Sequence, residues 1–152
     1  MVSVKEKLAE FIEPMIKAQA GVVYIEGEPG IGKTEIAQQI AKKNGWQFID
    51  NRLSQKDSSE ITGIPDRGEM DGYRVAEYLI PKWAIRANQK PTLVFFDEIN
   101  RAPLETRNSA LQILNERRIG EEFEFNDNVY FLSAGNMGDN DGTEVEELDT
   151  AL

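Results

Sequence analysis

Gly27-Glu28-Pro29-Gly30-Ile31-Gly32-Lys33-Thr34 is the stretch from which the fold can be read. It satisfies the pattern G-x-x-x-x-G-K-[ST] at every position, the signature of a phosphate-binding P-loop. Glycines let the chain curl so tightly that successive N–H groups point inward at phosphate oxygens. A lysine at the position of Lys33 brings a mobile charge to the terminal phosphates, and a hydroxyl at Thr34 is a ligand for Mg²⁺. The flanking sequence supplies the context such a loop needs. Val22-Val23-Tyr24-Ile25 reads as a buried strand. Ile36, Ala37, Ile40 and Ala41 recur at helical spacing up to a stop at Asn44-Gly45. A strand feeding a phosphate loop that opens a helix predicts an α/β protein of P-loop NTPase type: three layers, helix–sheet–helix, around a mainly parallel sheet.

Composition narrows the chemistry. The 152 residues contain no cysteine and no histidine, which excludes disulfides, thiolate metal sites and imidazole as a general base. Acid–base work must fall to carboxylates, lysine or tyrosine, and any metal is expected to be a hard cation held by oxygen. The net charge of −10 argues against a stand-alone nucleic-acid binder. DNA contact through a local loop or a partner stays open. With Lys5, Glu6, Lys7 and Glu10 among its first residues, the N-terminus is neither a signal peptide nor a membrane span. The cytoplasm is the expected location.

Along the chain, residues 3–20 predict an amphipathic helix packed on the sheet. Ser3 and Glu6 form a capping box, Leu8, Phe11, Ile12, Met15 and Ile16 share a face, and Pro14 breaks or kinks it. Trp46 to Asn51 reads as a second strand. Arg52 to Gly72 is the least regular stretch, and Gly63 to Gly72 reads as a loop. Tyr78 to Gln89 predicts a helix interrupted at Pro81, with Trp83 and Ile85 turned inward. Pro103 to Ile119 predicts a helix stopped by Gly120, followed by a hairpin-like stretch from Glu121 to Asn128. No internal repeat or interdomain linker is visible. The tail from Asp139 to Leu152 has six carboxylates and no basic residue, and reads as a solvated segment or one ordered by a neighbouring subunit.

Two further segments carry chemistry. Leu93-Val94-Phe95-Phe96-Asp97-Glu98 describes a buried strand delivering two acids at its C-terminal end, the edge where open α/β sheets bind ligands. Asp97 is placed to hold Mg²⁺, and Glu98 to orient and deprotonate an attacking water. A strand from Val129 to Ala134 leads to Asn136, whose amide can hydrogen-bond the γ-phosphate or that water without adding charge. The expected catalytic residues are Glu98, Lys33 and Asn136, and the expected metal ligands are Thr34 and Asp97. Residues Gly27 to Thr34 bind the nucleotide.

Asp97-Glu98-Ile99-Asn100-Arg101-Ala102-Pro103 resembles the Walker B segment of AAA+ ATPases of the MoxR type. Glu26 to Thr34 is similar to their Walker A, and Leu114 to Gly120 and the strand ending in Asn136 look like this group too. The resemblance implies one AAA+ core over residues 1–152, with a helix-2 insert region at about 57–90 and sensor 1 at Asn136. It implies ATP and Mg²⁺ as cofactors, a homo-oligomeric ring for the full-length parent, and a protein client reached through residues Asp66 to Tyr73. A von Willebrand factor A partner is also implied. By the same resemblance the chain stops before the arginine finger, the fifth strand and the helical lid. That leaves the strand of Val23 and Ile25 at an open edge and slows the isolated chain's turnover. The alternative readings are a DNA-linked or phage AAA+ ATPase, a P-loop small-molecule kinase and an inert nucleotide-dependent binding module.

Overall fold

The computed structural model describes residues 4–27 and 32–136. The expectations for Ser3, for Glu28, Pro29, Gly30 and Ile31, and for the acidic tail fall outside these residues. The chain opens with helix α1 (Val4–Ala18), followed by strand β1 (Tyr24–Gly27), helix α2 (Lys33–Asn44) and strand β2 (Gln47–Arg52). A short helix α3 (Ser58–Thr62) precedes strands β3 (Ile64–Met70) and β4 (Tyr73–Leu79), then helix α4 (Lys82–Ala87) and strand β5 (Thr92–Asp97). Helix α5 (Leu104–Glu116), the two-residue strands β6 (Arg118–Ile119) and β7 (Phe123–Glu124), and strand β8 (Val129–Asn136) complete it.

Four strands make one parallel sheet in the order β1-β8-β5-β2. Parallel strands require crossovers, and crossovers cover both faces with helices. The central strand β5 therefore buries all six of its residues. Leu93 and Phe95 pack with Ala9, Ile12 and Ile16 of α1 and Ile36 and Ile40 of α2 on one face. Val94 and Phe96 point to the other face, among Trp83, Leu111, Ile113 and Phe131. This is the expected three-layer α/β architecture. Among the described residues, β1 and β2 form the two margins of the sheet.

Helix α2 begins and ends on glycine. Gly32 stands at its N-cap with φ 83°, and Gly45 closes it with φ 70°, donating its N–H to carbonyls of the last turn. Both angles lie in the left-handed region that favours glycine.

Several expectations are corrected. Pro14 does not break α1, which runs unbroken through it. The apolar face of α1 is split: Ala9, Ile12 and Ile16 are buried, whereas Leu8, Phe11 and Met15 are exposed and line a cleft with Val23, Tyr24 and Ile25 beside β1. Gly63 to Gly72 is not a loop but most of an antiparallel hairpin, β3 paired with β4 from Ile64↔Leu79 to Met70↔Tyr73. Its two-residue turn is Asp71-Gly72, both at positive φ (53° and 82°), as a tight primed turn requires. Gly63 (φ 91°) closes the base, where an added Cβ would collide with the carbonyl of Leu79. Tyr78 and Leu79 are consequently strand, and helix begins only at Lys82. There Trp83 is buried, donating its indole N–H to the carbonyls of Glu60 and Ile61 (both 3.2 Å), but Ile85 is 43% exposed.

Helix α5 stops at Glu116 rather than at Gly120, because Arg117 turns left-handed (φ 57°). Its guanidinium donates to the carbonyls of Asn126 (2.9 Å) and Val129 (2.8 Å) and lies 5.4 Å from the centre of the Phe131 ring. These anchors offset a backbone cost of about 1–2 kcal/mol.

Helices α1 and α2 are tied by Glu13, which accepts from Lys17 (3.0 Å) and Lys43 (3.2 Å). Burial pushes the Glu13 carboxyl up, but the two lysines together outweigh it and hold it below the ordinary 4.5. Stability from this group is complete above pH 4.5 and fades as pH falls through its depressed value. Both lysines are well exposed, which limits the effect to about 1 kcal/mol. Glu13→Gln is expected to lower Tm by roughly 2–4 °C at neutral pH, and thermal melts in acid should show the gap between wild type and variant closing.

Candidate functional site

Four parallel strands end side by side at one edge of the sheet. Register sets their polar groups at that edge: Gly27 of β1 lies opposite Asn136 of β8, and Arg52 of β2 lies opposite Asp97 of β5. Lys33, in the first turn of α2, is buried at 7% exposure and reaches into the same space. Its Nζ donates to the Gly27 carbonyl (3.1 Å) and to Asn136 Oδ1 (3.0 Å). Next to it, Thr34 Oγ1 stands 3.4 Å from Asp97 Oδ2. Gly32, Lys33, Thr34, Asp97, Glu98 and Asn136 all line one open cleft of about 360 Å³, together with Glu35 and Arg101. The cleft thus unites every expected site residue that the structure describes apart from Gly27, which joins it through its bond to Lys33.

The two carboxylates are held differently. Asp97 Oδ1 accepts the backbone N–H of Glu98 (2.8 Å), leaving Oδ2 toward Thr34. Glu98 adopts a left-handed backbone (φ 54°), a strained conformation for a residue with a side chain. This bend swings the chain from β5 into a 3-10 turn over Ile99–Arg101. The Glu98 carboxylate accepts a hydrogen bond from Ser54 Oγ, just beyond β2.

Burial raises the Asp97 carboxyl above its ordinary value; the Glu98 N–H opposes this, while the Glu98 charge adds to it. Asp50, on β2, is raised too, by loss of hydration first and by the charge of Asp97 second. Burial, more than any neighbouring charge, is the first cause of both shifts. No group of three or more acidic side chains among the described residues is arranged to hold a metal ion. A hydroxyl beside one ionisable carboxylate is instead the donor set of a Mg²⁺ that takes its other ligands from water and phosphates, and Thr34 with Asp97 fits it.

Three participants were not picked out as acting groups from the sequence. Ser54 and Asp50 carry no motif, and only the β2–β5 pairing brings them here. Asn100 was quoted only as part of a motif; it is fully buried, and its amide bonds to the backbone of Asn136.

A family model described as "AAA domain (dynein-related subfamily)" matches residues 22–152. The chain is 29% identical over 115 residues to the human chromosome transmission fidelity protein 18 homolog, covering 74% of this chain and 11% of that protein. It is 28% identical over 150 residues to Lon protease 1 of Bacillus subtilis, covering 88% and 19%. It thus spans less than a fifth of these relatives' length. The crystal structure of a candidate ATPase from Cytophaga hutchinsonii superposes with a TM-score of 0.52 at 18% identity, over 90% of this chain and 43% of that one, a likeness of fold. No helix among the described residues is long and apolar enough to cross a membrane.

Because folding makes Asp97 harder to ionise, its charge weighs against the folded state at neutral pH, and that cost vanishes below the ordinary value of 3.8. Asp97→Asn is expected to raise the Tm of the chain by a few degrees at pH 7 in metal-free buffer and by nothing near pH 3. The same variant should lose the extra thermal stabilisation that Mg²⁺ adds to nucleotide, which parallel melts with and without the cation would record.

Proposed function

Because the chain belongs to the AAA domain family, dynein-related subfamily, we propose that it is the nucleotide-binding core of an ATP-hydrolysing remodelling machine of the MoxR type. The observation that carries the reading is the meeting of Lys33, Asn136, Asp97 and Glu98 in one cleft. A lysine at the start of a helix, a hydroxyl–carboxylate pair and a second carboxylate are the parts phosphoryl transfer to water requires.

The contacts support a role for each residue. Lys33 Nζ, which donates to Gly27 O and Asn136 Oδ1, transfers its hydrogen bonds to the terminal phosphates when ATP binds. Asn136, released from Lys33, offers its amide to the γ-phosphate. Glu98, steadied by Ser54, orients a water and takes its proton as the oxygen attacks the γ-phosphorus. The bond to the β,γ-bridging oxygen breaks, and ADP and inorganic phosphate leave. Mg²⁺, held by Thr34 and Asp97 with phosphate oxygens, would neutralise charge developing on the leaving group.

The β3–β4 hairpin is the proposed contact with a protein client. Its exposed Met70, Tyr73 and Tyr78 give an apolar surface outside the core, and Tyr73 follows directly on the turn. We assign the protein to a homo-oligomeric ring, and a von Willebrand factor A protein as a partner, on the MoxR resemblance alone.

Glu98→Gln removes the base but keeps the side chain's size. ATP affinity, measured by calorimetry, is expected to stay within about threefold of wild type. Phosphate release should fall by roughly 10²–10⁴. Phosphate release that requires an added acceptor hydroxyl, or that survives Glu98→Gln, would overturn the reading.

A further inference from the structure

Strand β8 runs past its neighbour. Its pairing with β5 ends at Phe96↔Ser133, whereas its pairing with β1 continues to Gly27↔Asn136. Beyond Asp97 the chain of β5 has bent away into the 3-10 turn Ile99–Arg101. On that side the backbone of Asn136 has lost its strand partner. The side chain of Asn100, which projects from the turn, takes that partner's place. Its Oδ1 accepts the N–H of Asn136 (3.2 Å), and its Nδ2 donates to the Asn136 carbonyl (2.9 Å).

Only a carboxamide in this orientation satisfies both groups, since a flipped amide would set donor against donor and acceptor against acceptor. The clamp is fully buried and closely fitted. A Cβ built on Gly135 would lie 2.9 Å from Asn100 Oδ1 and 3.1 Å from its Cγ, closer than carbon packs. The turn is itself held by Arg107, whose guanidinium donates to the carbonyls of Asn100 and Ala102 (both 3.3 Å).

We propose that Asn100 is the positioning residue for Asn136: it holds the peptide that carries the phosphate-reading amide and couples it rigidly to the turn that carries Glu98. The inference rests on the reading of Asn136 as a γ-phosphate contact. Two residues separate Asn100 from Asp97, so the catalytic carboxylates and the asparagine across the cleft move as one unit. Removing the clamp frees Asn136 while Thr34 keeps its bond to Asp97, and the Lys33–Asn136 bond that it loosens is one that ATP displaces in any case, so ATP should suffer more than ADP.

The test compares ATP and ADP affinities of the chain, with Mg²⁺, by calorimetry at a temperature where circular dichroism shows each variant folded. Asn136→Ala is expected to cut the ratio of ATP to ADP affinity by roughly tenfold, the worth of a hydrogen bond to a charged group. Asn100→Ala should reproduce most of that fall while ADP affinity stays within about twofold. In the double variant the two losses should not add, because one acts through the other. Should Asn100→Ala fail to fold, Asn100→Ser serves. Its hydroxyl adds no charge to the buried site and can satisfy one of the two Asn136 groups, and it should show a partial fall. An unchanged ratio in the folded Asn100 variant, beside a reduced one in Asn136→Ala, would overturn the positioning role alone, as would full additivity. An unchanged ratio in Asn136→Ala would overturn the phosphate reading and this inference with it.

Discussion

Strand β8 lies between β1 and β5, and what can meet at the C-terminal edge of the sheet depends on that insertion. Parallel strands stand about 4.8 Å apart, so interposing one strand sets Gly27 at the end of β1 and the acids at the end of β5 two spacings apart. The gap is bridged from β8 by Asn136, opposite Gly27, and spanned from above by Lys33, which bonds both Gly27 and Asn136. The same insertion requires crossovers on both faces, and these bury both sides of β5.

The site is costly to build. Asp97 and Glu98 stand side by side where hydration is incomplete, and Asp97 is pushed toward its neutral form. Glu98 adds a left-handed backbone. Beneath them, Phe96 packs edge-on against Trp83 and stacks with Phe131, and Phe125 joins Trp83 and Phe131. This aromatic layer reaches from α4 to β8 and ends directly under the turn that carries the acids. Stability is concentrated there and offset by the charges a few ångströms above, as expected where function opposes folding.

Much of this was legible in the chain itself. The phosphate loop, the buried strand ending in two acids and the strand leading to Asn136 each pair a local pattern with a chemical demand, and the fold unites them. The hairpin was missed because its residues show no alternation of apolar and polar: neither face of β3 or β4 is buried, so no hydrophobic period was imposed. The signal present was Asp71-Gly72, a turn-forming pair that outranks composition. The end of α5 was misplaced because Arg117 gives up helical geometry for two carbonyls far along the chain. Ser54 and Asn100 act through contacts that exist only once β2, β5 and β8 are side by side, and no local pattern announces them.

The hairpin and the cleft at the strand ends are built on different terms, and this separates reach from the proposed chemistry. At about 3.4 Å per residue, seven-residue strands carry the tip roughly 20 Å from its base. That base is closed by Gly63 against Leu79, and the ladder beyond it contributes no side chain to the clusters that flank the sheet. Inserting or deleting one residue from each strand would move the tip by one rung and turn its side chains over, while the cleft felt nothing. A pair from each would preserve the facing and change only the length. The arm is an adjustable ruler mounted on a fixed engine, and its span can drift between related proteins without disturbing how phosphate is held.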